Sequence, residues 1–155
     1  MAIAMPGTIT GAAQTGLTSP TYTTTADTAP DVNAKQVAIT ALGGTQSGVT
    51  AHSVSSPFTV AVFRPKSFAS LGKPNPTTGL ISNVPTNTYK VVTRKGVTPA
   101  FSQPIANCII RTELGVPAGA DTYDAANLRA AIAAHVGFLW QLSASIGDTS
   151  INGVL

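Results

Sequence analysis

A single long helical pattern closes a chain whose earlier segments all read as strands. In DTYDAANLRAAIAAHVGFLWQL, residues 121–142, the side chains of Leu128, Ile132, Val136 and Leu139 recur at helical spacing. Ala131, Ala134 and Phe138 widen that stripe, and the many alanines let another backbone come close. Asp121 or Thr122 stands where an N-cap is wanted, with Asp124 in the first turn, where a negative charge is favoured. Gly147 is placed as a stop signal, and the residues after it have room for one short further helical turn.

Upstream, hydrophobic alternation has period two. Residues 7–32 are rich in Thr, Gly and Pro and read as a hairpin within an N-terminal region, 1–34. Val37 and Ile39 alternate with Gln36, Ala38 and Thr40, which marks a strand. Further strands are predicted over 58–66, ended by Pro65, over 88–96 and over 108–117. Loops fill 43–57 and 67–87. Strands first and helix last predicts an α+β domain spanning 1–155. It comprises an N-terminal β-hairpin, a five-stranded antiparallel sheet over 35–117 and a C-terminal helical region over 121–155. A helix roughly 10 Å wide covers about two strands spaced ~4.8 Å apart. One helix therefore cannot cover a sheet of about five strands. The missing cover is expected from a second copy, in an intertwined homodimer whose helix crosses onto the partner. Leu128, Ile132, Val136, Leu139 and Trp140 are the expected dimer interface.

Several function classes fall away. The lone Cys108 rules out a disulfide framework and a multi-cysteine metal site. Cys108 opens an apolar strand, so burial is expected rather than nucleophilicity. His52 lies in AHSVSS, but a serine hydrolase also needs a carboxylate orienter, an oxyanion hole and a nucleophile elbow. His135, in the middle of the helix, is expected to be a packed or interfacial residue. No phosphate-binding loop, dinucleotide fingerprint or zinc-protease motif occurs. No enzyme activity, catalytic residue, metal or cofactor is expected. The N-terminus lacks a cationic signal-peptide start, and the apolar run around His135 is too short to span a bilayer. A soluble cytoplasmic protein is the expectation, with no membrane partner and no small-molecule substrate.

The net charge is +3, with only 10% of residues charged. Lys95 apart, five of the nine cations nevertheless fall in or beside three strands. Alternation puts Lys90, Val92 and Arg94 on one face of their strand, and Ile109, Arg111 and Glu113 on one face of the last strand. Glu113 can pair with Arg111, its same-face neighbour. Arg64 and Lys66 end the adjoining strand. With the helix on the apolar face, these cations and Thr88 line an open platform suited to RNA phosphates. On pattern alone, solubility and edge protection are the favoured explanation of such residues.

The order of elements, with RTELGVPAGADTYDAANLRAAIAAHVGFLW, GDTSINGVL and NTYKVVTRKG, resembles the coat proteins of the small single-stranded RNA bacteriophages, the levivirus group. The resemblance implies an N-terminal hairpin, a five-stranded sheet made continuous across a dimer, and helices reaching over the partner. It further implies assembly into an icosahedral virion shell in the bacterial cytoplasm. Single-stranded RNA is then the partner, bound on the inward sheet face. The matching positions are Thr88, Lys90, Val92 and Arg94, then Ile109, Arg111 and Glu113. Two depart from the family pattern. Ile109 stands where better-studied members have a stacking Tyr, and Val92 where a small polar residue lines an adenine pocket. Phosphate binding through Lys90, Arg94 and Arg111 survives both departures. The loops 43–57 and 67–87 would lie between dimers. The competing class is a monomeric β-rich binding or adhesion module without assembly.

Overall fold

The structure is a computed structural model and describes residues 2–155. Six strands form one antiparallel meander in sequence order: β1 (Thr8–Thr10), β2 (Thr18–Asp27), β3 (Ala34–Thr45), β4 (Phe58–Phe63), β5 (Thr86–Val97) and β6 (Ala106–Pro117). Three helices follow: α1 (Ala120–Tyr123), α2 (Ala125–Gln141) and α3 (Ser143–Asn152). The expected hairpin is present as β1 and β2. It is not a separate element beside a five-stranded sheet, because β2 pairs along β3 from Thr18↔Thr45 to Asp27↔Gln36. Thr-rich extended backbone suits this pairing.

Two register shifts, between Thr18 and Thr21 and between Thr23 and Thr24, interrupt the β2–β3 ladder. Bulges of this kind bend a strand and raise its twist. At the first, Gly44 has φ 73°, and a Cβ there would lie 2.2 Å from the Ser19 carbonyl oxygen. Only glycine fits that crossing. The curled hairpin brings Tyr22 against Phe58 edge-on, with ring centroids 5.6 Å apart. Burial pushes the Tyr22 hydroxyl pKa up.

The helical region departs from the expected caps. Asp124, not Asp121 or Thr122, is the N-cap of the long helix, and its carboxylate accepts from the Asn127 N–H. Residues 120–123 form a separate turn. Gly147 does not stop the helix but lies inside α3, which ends at Gly153 with φ 71°. Leu142 makes the break instead, and α2 and α3 meet at a 60° bend.

The core is thin. Val37 and Ile39 are buried on one face of β3, and Ala38 on the other. On the second face Thr59, Ala61 and Val92 are buried as well, small residues shielded by longer neighbours. The first face carries Val60, Val91 and Ile110 in addition, and Ile110 is 62% exposed. The chain's own α2 does not cover it. No residue of α2 is fully buried, and the helix meets the sheet only beside β6, where Leu128 and Ile132 are half-buried. A groove of about 240 Å³ separates Leu128 and Ile132 from Leu114 and Val116 of β6. A compact chain of 15.7 kDa exposes about 7,300 Å², whereas this one exposes 10,711 Å².

Loop 64–85 is pinned where it meets β5. The buried Asn87 imitates a strand partner: its Oδ1 accepts from the Ala69 N–H at 2.9 Å, and its Nδ2 donates to the Ala69 carbonyl at 3.0 Å. Asn87→Ala removes both bonds and leaves the two Ala69 backbone groups without partners. The expected outcome is a loss of about 1–3 kcal/mol in chemical denaturation. Amide exchange should also quicken at Ala69 while the β3 amides stay protected.

Candidate nucleic-acid interface

Strand register brings the cations together. Across β5 and β6, Lys90 faces Glu113, Val92 faces Arg111 and Arg94 faces Ile109. Across β4 and β5, Phe63 faces Lys90 and Thr59 faces Arg94. Directly opposed residues share a face, so the alternation read from the sequence holds in three dimensions. β4 ends at Phe63, earlier than expected, since Pro65 has no N–H for the ladder. Arg64 and Lys66 therefore sit in the following turn. That turn is tied to the β2–β3 connection: the Arg64 N–H donates to the Asn33 carbonyl at 3.0 Å, and Asn33 Nδ2 donates to the Arg64 carbonyl.

All six residues proposed from the sequence, Arg64, Lys66, Thr88, Lys90, Arg94 and Arg111, line one open cleft of about 440 Å³. Asp31, Asn33 and Phe63 complete its wall, and Val92 lies in its floor. Asp31 and Asn33 were not legible beforehand, because the β2–β3 turn reaches the cleft only through tertiary folding.

The two lysines are matched by carboxylates. Lys66 Nζ lies 2.6 Å from Asp31, and Lys90 Nζ lies 3.0 Å from Glu113. Glu113 thus pairs across the strands and not with Arg111, as the sequence had suggested. Opposed side chains in neighbouring strands approach more closely than same-face neighbours along one strand. The Lys66 ammonium beside Asp31 holds that carboxyl below the usual carboxylate range. Both pairs are solvent-exposed, so each contributes little stability and exchanges readily for another anion. Arg64, Arg94 and Arg111 form no ion pair among the described residues. A guanidinium has the geometry for bidentate contact with a phosphate or carboxylate.

The residues weighed for catalysis have structural roles. His52 Nδ1 accepts from the Phe58 N–H at 3.0 Å, and Ser53 Oγ accepts from the Ser56 N–H at 3.0 Å, so both shape loop 46–57. His135 is exposed on α2 beside the groove against β6. Cys108 is exposed and not buried as expected, because β6 is the open edge of the sheet and no helix of its own chain lies over it. Among the described residues no cluster of His, Cys, Asp and Glu could hold a metal ion. The five helix residues expected at a dimer interface divide in this chain. Leu128 and Ile132 are half-buried, whereas Val136, Leu139 and Trp140 are exposed.

The opposite face of the sheet holds two cations, Lys35, whose Nζ donates to the Ile3 carbonyl at 2.7 Å, and Lys95. Lys95 Nζ lies 5.1 Å from the centre of the Phe58 ring and donates to Thr50 Oγ1 at 2.9 Å. Burial lowers its pKa. Its chemistry is anchoring on an apolar face, distinct from that of the cleft.

No protein-family model matches the chain, and no curated protein does. Among solved structures, the virus-like particle of bacteriophage ESE020 has a chain 56% identical, covering 99% of this chain and 100% of that one, with a TM-score of 0.96. A chain of the virus-like particle of Wenzhou levi-like virus 4 is 19% identical over 84% of this chain and 74% of that one, with a TM-score of 0.45. More than half of the residues and the whole fold are thus shared with a phage particle protein from end to end, and the chain belongs to the coat proteins of the single-stranded RNA bacteriophages, the levivirus group.

Proposed function

We propose that this capsid protein acts as an obligate homodimer that assembles into an icosahedral shell in the bacterial host cytoplasm and binds single-stranded RNA on its basic sheet face. One observation carries the reading: the two faces of the sheet are chemically segregated. One bears the cleft of Arg64, Arg94 and Arg111, and the other bears Val60, Val91 and Ile110 without cover from the chain's own helix. The surface in excess of a compact monomer, about 3,400 Å² per chain, exceeds the roughly 1,000–2,500 Å² that each subunit of an obligate dimer buries, which leaves apolar area for further contacts between dimers. β6 adds an open edge of twelve residues, a ready template for antiparallel pairing with a second β6. Val136, Leu139 and Trp140 on α2 would then close over the partner's sheet. Loops 46–57 and 64–85, with Val54 and Leu80 exposed, would form the contacts between dimers.

RNA binding of this kind is mainly electrostatic and independent of sequence, because the cleft offers guanidiniums where a stacking Tyr and a small polar pocket would be needed for base readout. Electron microscopy of the protein expressed alone, with absorbance at 260 and 280 nm on the same fraction, tests the whole reading. Uniform shells with a nucleic-acid spectrum are expected. A small RNA-free species would instead favour the monomeric binding module.

Two substitutions separate the parts. The triple variant Lys90→Ala/Arg94→Ala/Arg111→Ala should still dimerise but package less RNA. The salt dependence of its RNA affinity should fall by about 0.7 in log–log slope for each phosphate that the variant no longer neutralises. An unchanged RNA content would remove this face from consideration. Leu139→Asp places a charge in the expected helix interface. It should abolish shells and shift the protein to monomer size in sedimentation, while the RNA-face substitutions leave sedimentation of the dimer unchanged.

A further inference from the structure

The two ends of the chain hold each other at a place neither face of the sheet explains. Gln14 Nε2, in the β1–β2 turn, donates to the Ser143 carbonyl at 2.8 Å. Thr15 Oγ1 donates to the Asp148 carboxylate at 2.9 Å. Ser143 Oγ donates to the Ala13 carbonyl. These partners lie 129 to 133 residues apart in sequence.

The contact is close-packed as well as polar. Ser143, Ala144, Gly147 and Asp148, one face of α3, are half-buried there, whereas Ile146 is exposed. A Cβ on Gly147 would lie 2.1 Å from Gln14 Oε1 and 3.2 Å from its Cδ. Glycine inside a helix costs about 1 kcal/mol relative to alanine. Here a Cβ would push the Gln14 amide out of the position from which it bonds α3. The turn is formed to receive α3: the Leu17 N–H donates to the Gln14 carbonyl at 3.1 Å, and Gly16 takes φ 82°.

The position of this clasp gives it a consequence. α2 is fixed at its start through Ala118, which is buried and donates from its N–H to the Pro85 carbonyl at 2.8 Å. It is fixed at its end through α3 and the clasp. Between these anchors none of its residues is fully buried, and only Leu128 and Ile132 lie near a strand, across the groove from β6. α2 is therefore a strut held at both ends, with apolar side chains open along it and an apolar sheet face open beside it.

We propose that the clasp between the β1–β2 turn and α3 is a positioning device for dimerisation. It sets the angle of α2 to the sheet within the single chain, so that a second copy's α2 meets a preformed surface. This rests on the homodimer reading given above. Preorganisation of this kind removes the ordering cost of association. Without the clasp, α2 and α3 are free to pivot at Gly119 and Leu142, and each encounter must order them.

The association rate is the decisive measurement. Trp140, the chain's one tryptophan, is 55% exposed and reports its own covering by fluorescence. In the full-length protein, Gly147→Ala should slow dimer association roughly tenfold. Dissociation should change little, and protection of the β3–β5 amides should be retained. Thr15→Ala, which removes one bond from an exposed turn and fills no space, should act in the same direction more weakly. Gln14→Ala, which removes the bond to the Ser143 carbonyl and fills no space, should also slow association. Unchanged association in all three variants would overturn the proposal. So would a loss confined to faster dissociation, which marks a stabilising contact and not a positioning one. A wild-type chain that sediments as a monomer would instead overturn the dimer reading on which the proposal depends.

Discussion

The physical constraint behind the rest of this structure is an amphipathic helix without a core in its own chain. α2 leaves β6 at a buried alanine, runs for seventeen residues and buries none of them. The apolar sheet face it would be expected to cover stays open, with Ile110 largely in solvent. Hydrophobic burial dominates folding and most association, so two unsatisfied apolar surfaces in one chain are a driving force for assembly. A capsid subunit has this economy.

The division of labour between the sheet faces follows from the pleat. Side chains alternate, so one strand can present Tyr89, Val91 and Thr93 to one side and Lys90, Val92 and Arg94 to the other. Small residues at the centre of the basic face, Ala38, Thr59 and Ala61, keep it low and open between longer cationic rims. The lysines there are partly neutralised by Asp31 and Glu113, while the arginines remain free among the described residues. A polyanion meets weak, exchangeable pairs and unpaired guanidiniums, which suits binding that tolerates any sequence and responds to salt.

Some of this was legible beforehand and some was not. Strand positions and faces were, because period-two alternation is a local property. The cap was misplaced by two or three residues, since Asp121, Thr122 and Asp124 all have capping side chains and only backbone geometry selects Asp124. The sheet was expected to be one strand narrower and to stand apart from its hairpin. Thr and Gly specify extension but not which neighbour is paired. Cys108 was expected inside because its neighbours are apolar, yet an edge strand without a covering helix leaves them all exposed.

The amino-acid sequence by itself determined the order of elements, the shared face of Lys90, Arg94 and Arg111 on β5 and β6, and the shortage of helix relative to sheet. These follow from composition and periodicity, which act over a few residues. Only the tertiary structure decided which cations share a cleft, that Asp31 and Asn33 join them, that Glu113 answers Lys90, and that Gln14 meets Gly147. Each of these depends on register, bulges and bends that bring distant residues within a few ångströms. No local pattern encodes such distances, because they are set by how the whole sheet twists and where the helix breaks.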